Sequence, residues 1–249
     1  MMARYFKILL AIIKRELSGY FESPIAYVFM IIFLVMCGFF SFMVSGFYEN
    51  GQADLRAFFQ WHPWIFLFLI PSVAMRLWSE EKRTGTIELV FTLPVSLFQL
   101  VFGKFLAAWI FIAIALFLTF PIVLTTLYLG NPDLGSIVSG YIGSLLLAGA
   151  YLSVGCMTSS FTRNQVISFI ISVVICIFLV LAGWPPVTNI LSGWAPQWLI
   201  ETIEGFSFMA HFSSMERGII DIRDVFYFIS VICFMLYING VALHIRRDV

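Results

Sequence analysis

Long apolar runs separated by short polar segments dominate the chain. Six of these runs reach about 20 residues, the length of helix needed to cross a hydrocarbon core of ~30 Å. They lie at residues 24–47, 58–75, 105–129, 137–161, 166–184 and 225–245. Pro63 and Pro71 fall inside the second run and each removes a backbone donor, so this helix is expected to be irregular. The first run starts late and is longer than the apolar core of a cleavable leader, so it is expected to be retained. Ahead of it, Phe6, Leu9, Leu10, Ile13 and Leu17 recur at helical spacing, with Lys7, Lys14, Arg15 and Glu16 between them. That pattern predicts an amphipathic helix over residues 1–22, lying on the membrane surface. It fits a simple anchor and a docking surface for a partner equally well.

Two connecting segments break the monotony. Residues 79–96 hold Glu80, Glu81, Lys82 and Arg83, then a flexible turn at Gly85. Thr86 is placed to cap a short helix with Glu88 in its first turn. This helix would show Ile87, Val90 and Phe91 on one face and stop at Pro94. Ser96 with Gln99 then forms a capping box for the third span, and Val95 with Leu100 its hydrophobic staple. A plain connector needs no such construction, although a tether on lipid headgroups would share its amphipathic face. The second segment, residues 185–224, is long for a loop and carries Pro185, Pro186, Trp194, Pro196, Trp198 and Phe206. Short helices sunk in the membrane interface are expected there.

Composition excludes most other classes. The 249 residues are 61% hydrophobic and 11% charged, against roughly 45–50% and about 25% in soluble domains. Twenty-eight Phe residues would leave the surface of a soluble globule greasy. Fourteen basic residues balance fourteen acidic ones, so no nucleic acid or other polyanion is implied as a partner. Placement says more. Eleven Lys and Arg residues fall on the side of the membrane that holds both termini and only Arg56, Arg217 and Arg223 on the other, which puts the termini in the cytoplasm. Trp61, Trp78, Trp109 and Trp184 lie near the ends of the predicted spans, as an interfacial aromatic belt would.

The chemistry that is missing also narrows the function. No Asp, Glu, Lys or Arg falls in the centre of a span, which argues against a proton- or sodium-coupled carrier. Asn239 and the hydroxyls of the third to fifth spans are expected to bond helix to helix. Gly140, Ser144 and Ala148 form a small-residue ridge that should place the fourth span inside the bundle. Cys37, Cys156, Cys176 and Cys233 have no metal-ligand spacing and are expected to be packing residues. His62 and His211 lack a spaced catalytic partner. There is no GxxxxGK[ST] loop, so the chain is expected to bind no cofactor and any ATP with its Mg2+ would sit in a partner.

The run Glu80-Glu81-Lys82-Arg83-x-Gly85-Thr86-x-Glu88-Leu89, followed by Leu93-Pro94-Val95-Ser96, resembles the signature of ABC-2-type ABC transporter permeases. Ser23-Pro24-Ile25-Ala26-Tyr27, the segment Pro63–Pro71 and Gly149-Ala150-Tyr151 are similar to the gliding-motility-type (Gld) subfamily. So are Asp54-Leu55-x-x-Phe58-Phe59, His211-Phe212 and Gly218-Ile219-Ile220-Asp221-x-x-Asp224. The resemblance implies an all-α membrane protein with six transmembrane helices, an N-terminal interface helix and a coupling helix between spans 2 and 3. In that family the coupling helix and the interface helix meet a cytoplasmic ATPase, and a second permease copy or a related chain completes the unit. The outer loop would then be a gate or a dock for a periplasmic partner. Asp221 and Asp224 serve equally as acidic residues opening the sixth helix. The implied location is the bacterial inner membrane, and the implied activity is export or force transmission. A membrane scaffold anchoring envelope proteins is the alternative, and an intramembrane enzyme lacks a catalytic constellation.

Overall fold

The computed structural model describes residues 2–48, 54–92, 95–193 and 195–247, apart from the side chains of residues 2–4, 90, 91, 246 and 247. Of the described residues, 84% are helical and none lies in a strand. Helix α1 (Met2–Glu22) leads through a turn at Ser23, whose hydroxyl accepts from the Ile25 amide, into α2 (Pro24–Phe39). Pro24 in the first turn loses only an amide that would have no helical partner. A π-helical segment, Phe40–Val44, extends α2.

The second apolar run belongs to a longer, segmented helix: α3 (Arg56–Phe59), α4 (His62–Ala74) and α5 (Arg76–Thr84). Pro71 is accommodated inside α4, and the interruption falls further on, at Met75. Helix α6 (Ile87–Thr92) is the short helix expected from the sequence. Helices α7 (Leu97–Phe117) and α8 (Phe120–Leu129) make the third span, which starts earlier than its apolar run and so takes Lys104 inside the helix. Helix α9 (Leu134–Phe161) is the fourth span and α10 (Gln165–Leu181) the fifth. The outer segment forms α11 (Pro185–Leu191), α12 (Gln197–Glu204) and α13 (Phe208–Glu216), and α14 (Ile222–Arg247) is the last span. Among the described residues, five helical stretches are long and apolar enough to cross a membrane. A sixth arises if α10 and α11, bent by 69° at the break between them, form one broken span. The chain is a multi-pass membrane protein.

Helix α9 sits at the centre, packed against α3, α4, α5, α7, α10, α13 and α14. Its small residues make this possible. A Cβ on Gly140 would overlap the Phe59 ring, one on Gly155 the Cβ of Ala74, and one on Gly149 would lie 2.9 Å from Ile232. Hydroxyls tie the neighbours together: Ser139 donates to the Met215 carbonyl at 2.7 Å and Tyr151 to the Pro63 carbonyl at 2.9 Å, while Thr158 and Ser172 share a bond. Asn239 differs from expectation. It is fully buried, yet neither amide atom finds a partner among the described residues.

Other positions depart from the sequence reading for packing reasons. Trp78 is completely buried under the Lys104 ammonium, and Trp109 donates to the Leu145 carbonyl at 2.9 Å. Both serve the bundle rather than an aromatic belt. His62 is buried with Nδ1 2.7 Å from Ser144 Oγ, so it joins α4 to α9. Cys37, Cys156 and Cys176 are buried packing residues, whereas Cys233 is exposed.

Candidate coupling surface

The break at Met75 frees backbone amides that α4 would otherwise have satisfied. Ser159, near the end of α9, takes their place: its Oγ accepts from the Trp78 and Ser79 amides at 3.0 Å each and donates to the Met75 carbonyl at 3.1 Å. Unsatisfied amides in such a setting cost roughly 1–3 kcal/mol each, so this serine fixes where α5 starts. One turn further on, Lys82 is buried and its ammonium donates to the Ser160 carbonyl. That carbonyl is one of the last four of α9, which have no helical donor and carry the negative end of the helix dipole. Helix α5 is thus clamped to the end of α9 from two sides.

A second tie reaches the first helix. Lys104, with only 4% of its side chain exposed, pairs with Glu81 at 2.8 Å and with Glu16 at 3.2 Å. Arg15 completes the chain by pairing with Glu16 at 2.6 Å. Burial opposes ionisation of Glu16, but the charges and hydrogen bonds of Lys104 and Arg15 outweigh it and hold its pKa below the ordinary carboxylate range. Gln99 adds a weaker link, its side-chain amide reaching the Tyr5 carbonyl at 3.4 Å, while Gly103 leaves room for Ile12. Helix α1 therefore packs Leu9 and Ile12 against α7 and leaves Phe6 and Leu10 exposed, so its apolar stripe is split between protein and surroundings. Lys7, Lys14 and Arg15 are exposed beside it.

The polar loop divides in two. Glu81, paired with Lys104, and the buried Lys82 are turned inward, and Glu80 is half-buried. Arg83, Thr84, Gly85, Thr86 and Glu88 are exposed, as is Leu89 at 68%. Gly85 ends α5 with φ +75°, a left-handed conformation that favours glycine. The Thr86 hydroxyl shares a 2.9 Å bond with that of Thr84. Glu88 lies in the first turn of α6, and Ile87 packs against the core. The side chains of Val90 and Phe91, and Pro94, lie outside the described residues. Beyond them the expected capping box is present: the Ser96 hydroxyl accepts from the Gln99 amide at 3.2 Å, and the Gln99 side chain accepts from the Ser96 amide at 2.9 Å.

At the other end of the bundle the outer candidates come together as a pin. His211 Nδ1 lies 2.7 Å from Asp224, its ring stacks on Tyr227 at 3.9 Å, and the Ser214 hydroxyl donates to Asp224. The serine contacts the carboxylate and not the imidazole, so this is no nucleophilic relay. Phe212 is buried against Gly143, and Gly218, at φ +93°, lies against Ser136. Asp221 accepts from the Arg223 amide at 2.9 Å and opens α14 as a cap. Asp224 combines its place in the first turn with the His211 pair.

Ser159 bonds α9 to α5, as expected of the hydroxyls of the fourth span. Lys104 is the member of the coupling region that patterning missed, because a lysine beside an apolar run looks like the end of a helix.

The family model for ABC-2 family transporter proteins matches residues 10–222. No curated protein matches the chain. The matched region runs from α1 to the start of α14 and includes the clamped α5, the exposed loop and the outer helices. The chain belongs to the ABC-2 family of transporter proteins.

Proposed function

We propose that this chain is the permease subunit of an ATP-driven transporter in the bacterial inner membrane, with both termini in the cytoplasm and a cytoplasmic ATPase docked on its polar loop. Two copies, or this chain and a related one, enclose the pathway, and ATP with Mg2+ binds in the partner. The observation that carries this reading is the mechanical continuity of the loop. Glu88 and Leu89 stand exposed at the tip, while the helix behind them is fastened to the central α9 through Ser159 and Lys82 and to α1 through Lys104. A push at the tip is thereby delivered to the most buried helix. Arg83, Gly85, Thr86, Ile87, Glu88, Val90, Phe91 and Pro94 form or shape the contact. Glu80, Glu81 and Lys82 stiffen its base, and Lys7, Lys14, Arg15 and Glu16 supply the neighbouring edge on α1. Export or force transmission to an envelope partner, received at the His211–Asp224 pin with Phe212, Gly218 and Asp221, fits the gliding-motility-type resemblance of the same residues.

Expressing the tagged chain with its cognate P-loop ATPase tests the contact. The ATPase is expected to co-purify, and Leu89→Asp is expected to release it while the permease stays folded in the membrane. Retention of the ATPase by Leu89→Asp and Glu88→Lys alike would contradict a contact at this tip.

A further inference from the structure

A cavity of about 520 Å³ opens between α1, α2, α5 and α7, within the roughly 300–1,000 Å³ typical of pockets that hold small molecules. Its lining grades from charge to grease. Arg15, 57% exposed at the side chain, stands at one extreme, and Phe29 and Phe111, both buried, at the other. The apolar runs of α2 and α7 begin at this level, so the cavity lies at headgroup depth with its apolar floor toward the hydrocarbon.

Three cations, Arg15, Arg76 and Lys104, and three carboxylates, Glu16, Glu80 and Glu81, line it. Most of them are engaged with each other, because Lys104 bridges Glu16 and Glu81 and Arg15 holds Glu16. Two buried atoms are left over. Arg76 Nε has no acceptor and Glu81 Oε2 has no donor among the described residues. A buried donor and a buried acceptor of opposite charge, in a lining of balanced charge, call for a ligand that is itself zwitterionic.

We propose that this cavity binds the headgroup of a phosphatidylethanolamine from the leaflet on the α1 side, with the phosphate on Arg76, the primary ammonium on Glu81 and an acyl chain leaving past the exposed Ile25. The primary ammonium matters, because a choline headgroup has no N–H to give Glu81, and phosphatidylglycerol has no ammonium at all. Such a lipid would join α1 to α5 beside the Lys104 bridge. The assignment does not depend on which chain the loop tip contacts.

Native mass spectrometry on the purified full-length chain, delipidated and then titrated, tests this. The probes are phosphatidylethanolamine, phosphatidylglycerol, phosphatidylcholine, phosphoethanolamine and inorganic phosphate. Phosphatidylethanolamine is expected to bind about tenfold more tightly than the other two lipids, the effect of one charge-assisted hydrogen bond. Arg76→Gln is expected to weaken its binding, and Glu81→Gln to erase the preference over phosphatidylglycerol. Should Arg76→Gln not fold, Glu81→Gln carries the test, with lipid-free melting as the check on folding. Equal binding of the three lipids, or a preference untouched by Glu81→Gln, overturns the proposal. So does competition by phosphoethanolamine or phosphate at the same concentrations as the lipid, which would make the ligand a free phosphate compound.

Discussion

At the scale of single residues, the buried charges at the α1–α5–α7 junction act on one another. Lys104 neutralises two carboxylates from different helices, and its loss would leave Glu16 and Glu81 confronting each other. Lys104→Met is expected to destabilise the fold by about 3 kcal/mol, the low end for a buried pair because both carboxylates keep some solvent. Melting of the purified protein followed by tryptophan fluorescence checks this, and adding Glu16→Gln should restore part of the loss. Glu216 supplies a pH dependence at the opposite end. Burial raises its pKa, against the pull of Arg217 and Arg56, to about 7. A raised carboxylate pKa means the fold favours the protonated form, so its stabilisation is full below the ordinary range and is lost as pH rises through about 7. Glu216→Gln should therefore match the wild type at about pH 4 and melt higher at about pH 8.5, which parallel melts at the two pH values would show. None of these roles could be read from spacing. The partners of Lys104 and Lys82 lie dozens of positions away, and a pattern reveals a residue's own face without its counterpart.

Among the elements, the sequence was most legible where the signal is local. The capping box at Ser96 and Gln99, the left-handed Gly85 and the amphipathic α1 each depend on a few adjacent residues, and each appears in the structure. The interior position of α9 was also legible, because a ridge of small residues has one main use in a membrane. Its tolerance can be measured. Gly155→Leu is expected to push α9 off α4 and abolish a stable, monodisperse protein, since even a Cβ there meets Ala74. Gly240→Ala, with nothing within 4 Å of the added carbon, should behave as wild type in size-exclusion chromatography. The fifth span was less legible. Its apolar run continues to Trp184, but the chain bends by 69° between α10 and α11, and hydropathy carries no direction. The start of the third span was obscured in the same way by Lys104, whose charge is hidden by its pairs.

Over the whole molecule, the apolar majority builds a bundle around α9, and the polar minority ties its ends together. One end carries a stiff, exposed loop fastened to α9 and α1, and the other carries α13 pinned by His211 and Asp224. This arrangement is in keeping with an ABC-2 family transporter protein, and the proposed function makes the fastened loop the point where an ATPase pushes. The most direct test of that account is ATP hydrolysis by the complex of this chain with its ATPase in lipid nanodiscs. Glu88→Lys, which reverses charge at the exposed tip, is expected to reduce turnover by about tenfold or to prevent assembly, as loss of a charge-assisted contact would. Unchanged assembly and unchanged turnover with Glu88→Lys would contradict coupling through this loop.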